Sequence, residues 1–126
     1  MTLLFANALV LITFIAHTFG GDREYRRIEP STATDKARYD WLMGRGAFHI
    51  VSADFLLATI GLSLVNFTDF FRDEKLILSL LALYFLLYGL GFLIALVISK
   101  SPSNRFLKLP QWILLWAIAG LIYIGI

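Results

Sequence analysis

Three residues in this sequence have the type and setting to do chemistry inside an apolar environment: His17, His49 and Asp54. His17 closes one apolar run and His49 opens the next. If the two runs are neighbouring antiparallel helices, the imidazoles fall at similar depth in one leaflet. Two such imidazoles are a ligand pair for haem b, whose iron needs two axial donors, or for a divalent metal ion. A metal would require further donors, from Asp22, Glu24, Asp54 or another subunit. The same pair could instead hydrogen-bond across the helices or to interfacial water.

Asp54 is the only acidic residue within an apolar run. It lies about 12 Å below the interface at 1.5 Å per residue. A charge there costs at least about 2.5–3.5 kcal/mol, so the carboxyl is expected to be protonated or hydrogen-bonded. Ser52, Tyr84 and Tyr88 are the partners within reach, and with Thr13 they would outline a proton or ion path. The alternative is an aspartate that ties two helices together. Five residues separate His49 from Asp54, a rotation of about 140° and a rise of about 7.5 Å, so the two cannot share one ligand. Asn7, Thr13, His17, His49, Ser52 and Asp54 are expected to form a polar seam between the first two helices.

The elements that must position these residues are apolar helices. Of the 126 residues, 59% are hydrophobic and only 16% charged, with a mean hydropathy of +0.76. A water-soluble chain this short buries too little surface to hide that much apolar side chain. Four runs, at about 3–19, 46–67, 76–99 and 111–126, have about the 17–25 residues needed to cross some 30 Å of hydrocarbon. They lack the alternation of barrel strands, which leaves helices. The expectation is an all-α integral membrane protein, a four-transmembrane-helix bundle forming a single domain over residues 1–126.

Lysine and arginine set its orientation. The first loop, about 20–45, holds Arg23, Arg26, Arg27, Lys36, Arg38 and Arg45, and the third holds Lys100, Arg105 and Lys108; the other side has only Arg72 and Lys75. Loops one and three are therefore expected in the cytoplasm, with both termini on the non-cytoplasmic side. Within the first loop, Thr32 and Asp35 make a capping-box-like helix start. Arg38 and Arg45, seven apart, would share a basic face that rests on anionic lipid. Pro110 suits the start of the last helix. Gly89 and Gly91 suit a close helix crossing, and Trp112, Trp116 and Tyr123 lie on roughly one face.

The sequence holds no cysteine, which excludes disulfides and thiolate metal sites. It has no phosphate-binding glycine loop, nucleophile elbow or zincin motif, and nothing that points to nucleic acid. His17, Gly20, Gly21, Asp22 and Arg23, followed by Phe48-His49 at the start of the second span, resemble small four-helix bacterial inner-membrane proteins of unassigned function. That resemblance implies a bacterial inner (plasma) membrane and a shared use for the two histidines. The functional expectation is a His17/His49/Asp54 polar site that binds haem b or a metal ion. Two alternatives stand beside it. One is an oligomeric ion or proton channel or transporter lined by Asp54. The other is a non-catalytic membrane adaptor that offers the basic first loop to a partner protein or to lipid.

Overall fold

A computed structural model describes residues 1–31, 34–100 and 104–126. Among these the chain is helical, with no strand. Helix α1 spans Thr2–Ile15, a π-helical turn spans Ala16–Gly21, and α2 spans Asp22–Arg27. Then follow α3 (Asp35–Phe67), α4 (Glu74–Ile98), the short α5 (Arg105–Lys108) and α6 (Gln111–Ile124). Three helical stretches are long and apolar enough to cross a membrane: Thr2–Arg27, Asp35–Phe67 and Glu74–Ile98. Helix α6 is as apolar but has 14 residues, a rise of about 21 Å.

The first loop differs from expectation. The sequence suggested an exit from helix at Gly20-Gly21 and a connector to residue 45. Instead α1, the π turn and α2 form one continuous helix through both glycines, and α3 begins at Asp35. The short surface helix and the second span are thus one 33-residue helix. Only about residues 28–34 connect the two. The apolar parts, 3–19 and 46–67, are those read as spanning; Gly20–Arg27 and Asp35–Arg45 extend beyond them. Neighbouring i,i+3 and i,i+4 pairs support these extensions: Glu24 with Arg27 at 2.7 Å, Lys36 with Asp40 at 2.7 Å, and Asp22 with Arg26 at 3.2 Å. Thr32 of the expected capping box lies outside the described residues; Asp35, its other member, opens α3.

The chain divides into two compact units. The first unit comprises Ala8–Gly61. Its two helical arms run antiparallel, as the ladder of contacts shows: Tyr25 against Trp41, Asp22 against Arg45 and His49, and His17 against Phe48 and Phe55. Val10, Trp41, Phe55 and Ala58 are its buried apolar residues.

The second unit comprises Met1–Asn7 and Leu62–Ile126. Asp73 caps α4 by accepting a hydrogen bond from the Leu76 amide at 2.9 Å, and Pro110 precedes α6. Helices α4 and α6 pack through Leu78, Ala82, Phe85, Leu115, Ile118 and Ile122. The Trp116 indole lies over Gly89, where a Cβ would collide with it, and donates to the Leu86 carbonyl at 3.2 Å. Gly91 has nothing within 4 Å of its missing Cβ, so only one of the two expected glycines serves a close crossing. Asn7 and Ser63 bond side chain to side chain at 3.0 Å. Interhelical hydrogen bonds in a bilayer average about 0.6 kcal/mol, so these bonds set register more than stability. Leu80, Leu83, Leu87 and Ile94 remain exposed on α4, a surface suited to lipid rather than water.

Candidate functional site

The first unit gathers most of the chemically capable residues where its two arms leave the apolar stretch. At the centre is Asp22, the first residue of α2, its side chain only 13% exposed. Arg45 of α3 grips both carboxylate oxygens, Nε to Oδ1 at 2.8 Å and a terminal guanidinium nitrogen to Oδ2 at 3.1 Å. His49 Nε2 lies 3.0 Å from Oδ1. Arg26 adds a contact from its own helix, Nε to Oδ2 at 3.2 Å. The hydrogen-bonded Arg45 guanidinium, helped by His49, holds the Asp22 carboxyl down to about 2, and Asp22 in turn raises the pKa of Arg45.

His17 sits one turn deeper, inside the π-helical turn, and its ring lies flat on that of Phe48 with centroids 3.8 Å apart. Its Nε2 lies 3.1 Å from the Phe48 carbonyl oxygen. A carbonyl only accepts, so this nitrogen carries the proton. Phe55 meets the same imidazole edge-on at 5.3 Å. Above, the Trp41 indole donates to the Tyr25 carbonyl at 3.3 Å, and the Arg45 guanidinium lies 5.4 Å from the Trp41 ring centre. Two glycines allow this approach. A Cβ on Gly21 would collide with the tip of the Phe48 ring, and one on Gly44 with the Tyr25 hydroxyl.

The structure therefore brings His17 and His49 into one neighbourhood but gives each its own partner. His17 is engaged by Phe48, and His49 by Asp22. Phe48 touches both rings, stacked on His17 and edge-on to His49 at 5.7 Å. A haem plane between the imidazoles would have to displace that phenyl ring, so the residues as arranged do not fit a bis-histidine haem. Among the described residues no group of three or more His, Cys, Asp or Glu side chains could hold a metal ion. Each imidazole engages an acceptor through Nε2, which leaves Nδ1 as the nitrogen open to a proton or a metal.

The residues expected in the polar seam divide between the two units. Thr13 donates to the Leu9 carbonyl at 2.7 Å and Ser52 to the Phe48 carbonyl at 3.4 Å, each within its own helix. Asn7 belongs to the second unit, bonded to Ser63. Asp54 is half-buried on α3 in the first unit. Tyr84 and Tyr88 belong to the second unit, where their rings pack at 4.3 Å.

The basic set is also mostly engaged. Arg27 pairs with Glu24, Lys36 with Asp40, and Arg26 and Arg45 with Asp22, while Arg38 donates to the Ser31 carbonyl at 3.2 Å. Sequence reading offered Asp22 only as an extra metal donor; its role as the hub was signalled by no local pattern. Comparison of the chain with family models, with curated proteins and with solved structures gives no match.

Proposed function

We propose that the chain is a non-catalytic membrane protein whose task is to hold a stiff helical hairpin at the membrane surface. The supporting observation is that both imidazoles and the Asp22 carboxylate are engaged across that hairpin. Nε2 of His17 is on the Phe48 carbonyl, and Nε2 of His49 is on Asp22, which Arg45 also holds. In this reading the polar cluster is a fastening, and the surface offered is α2 with the first turns of α3, where Tyr39 and Met43 are exposed.

The membrane is a bacterial inner (plasma) membrane in this proposal, crossed four times, with both termini on the non-cytoplasmic side. The lysine and arginine distribution and the resemblance of the His17–Arg23 and Phe48-His49 motifs support it. The same distribution makes the hairpin end cytoplasmic.

Spin labels on Arg27→Cys and Lys36→Cys, in a chain with no other cysteine, test the fastening. A narrow distance distribution that broadens when Asp22→Asn and His49→Ala are added is expected. An unchanged distribution would refute the reading.

A second reading has one specific observation in its favour. A histidine that donates one ring nitrogen to a carboxylate, as His49 does to Asp22, is oriented as metal-bound histidines usually are. In that reading Nδ1 of His17 and of His49 would take a proton or a divalent ion. Metal analysis and absorption spectra of the purified protein separate the two readings. Stoichiometric metal that is lost in His17→Ala and His49→Ala would favour the site, and metal-free, colourless protein the fastening.

A further inference from the structure

Two guanidiniums, Arg26 and Arg45, converge on one carboxylate, with Nε–O distances of 3.2 and 2.8 Å. Glu29 also acts on Arg45 through its charge. Each guanidinium has five N–H donors; Asp22 accepts two from Arg45 and meets Arg26 as an ion pair. The nearby cations differ, since Arg27 and Lys36 each have an acid of their own at 2.7 Å. Arg26 and Arg45 instead share one acid, Asp22.

Its level in the membrane is also fixed by the chain. Asp22 follows the apolar stretch ending at Phe19 by three residues, and Arg45 directly precedes the apolar stretch starting at Gly46. At 1.5 Å per residue both stand within about 5 Å of the hydrocarbon edge, in the headgroup layer. Trp41 and Tyr25, residue types enriched at that level, flank the pair. The Arg26 side chain is 58% exposed and that of Arg45 30%, so both are open to a ligand.

We propose that Arg26 and Arg45 together bind the phosphodiester headgroup of an anionic phospholipid, using the N–H donors that Asp22 leaves free. Guanidinium groups suit this ligand, because their planar fork of donors matches phosphate oxygens. Asp22 serves as the tether that holds the two guanidiniums side by side. The proposal rests on the spans ending near Phe19 and starting near Gly46, and stands whether or not the hairpin acts as an adaptor.

The test is the thermal unfolding of the purified protein in dodecyl maltoside, titrated with phosphatidylglycerol, with phosphatidylcholine of the same chains, or with inorganic phosphate. A saturable rise in midpoint with phosphatidylglycerol alone is expected. Arg26→Gln keeps the Asp22–Arg45 pair and should weaken that response about five-fold, the upper end for one exposed charge pair. Arg27→Gln, whose arginine belongs to Glu24, should leave it unchanged. An equal response to phosphatidylcholine would overturn the proposal, as would an equal response to inorganic phosphate. A response that Arg26→Gln and Arg27→Gln weaken alike would overturn it too, since it would reflect general surface charge. An unchanged spin-label distance on Asp22→Asn and His49→Ala, beside an Arg26-dependent phosphatidylglycerol response of the unmodified chain, would sink the fastening reading and leave this one.

Discussion

Adding one methyl group at either of two adjacent glycines should have opposite effects. Gly20 and Gly21 both lie in the π-helical turn. At Gly20 a Cβ meets nothing within 4 Å, whereas at Gly21 it would collide with the Phe48 ring tip and stand 3.1 Å from Cε2. That ring cannot swing aside freely, because it is stacked on His17 at 3.8 Å and packs against Tyr25 at 5.9 Å. Gly20→Ala should stabilise by up to about 1 kcal/mol through helix propensity. Gly21→Ala gains the same amount but suffers overpacking of about 1–3 kcal/mol, so the two variants should differ by about 1–3 kcal/mol. Tryptophan fluorescence during titration of the detergent-solubilised protein with sodium dodecyl sulfate reads the difference, with Trp41 as the reporter on this unit. In a Phe48→Leu background the gap should close, since the obstructing ring is gone. Two alanine variants of equal stability, or a gap that persists without the ring, would refute the packing of Phe48 over Gly21.

Three further outcomes follow from the geometry. Asp22 titrates at about 2 in the folded chain against 3.8 ordinarily. The stability it confers is complete above the ordinary value and is lost as pH falls from about 4 towards 2; Asp22→Asn should flatten that acid limb in unfolding measured against pH. In the second unit, Gly89→Ala should cost about 1–3 kcal/mol by forcing Trp116 off the helix. Gly91→Ala should cost nothing by the same assay, and equal effects would contradict the close crossing. With no native cysteine, single-cysteine variants report topology cleanly: an impermeant maleimide should label Arg38→Cys only from the cytoplasmic side and Thr68→Cys only from the other. Labelling of Ile126→Cys from the side that labels Thr68→Cys is expected for four crossings, and from the opposite side would mean three.

The sequence made the apolar helices legible and their continuation beyond the bilayer illegible. Hydropathy marked 46–67 and 76–99 well, because lipid-facing surface is read directly from composition; α4 runs Glu74–Ile98. Gly20-Gly21 read as a helix exit, since paired glycines usually break helices. Here both stay helical, and the missing side chain at Gly21 leaves the space that the Phe48 ring fills. The histidines were placed in the right neighbourhood by depth alone. Depth could not say which acceptor each would find, since the pairing of His49 with Asp22 depends on the rotation of one helix about its axis. That rotation is altered by the π turn, which no residue pattern announced.

The π turn also makes the chain unequally tolerant of length changes. Residues 28–34 join two helix ends and could gain or lose a residue at small cost to the arms. Losing one residue between Ala16 and Gly21 would let the π turn close into ordinary α-helix with the face of everything after it nearly unchanged, because a π turn spends about one extra residue on the same rotation. Losing one between Thr2 and Ile15 would turn everything after it by about 100°. Asp22 would swing away from Arg45 and His49 while every residue type stayed the same. The six-residue turn therefore acts as a phase adjuster between the membrane part and the polar part of the first helix. In descendants of this sequence, single deletions should be tolerated in the connector and in the turn and be purged from Thr2–Ile15.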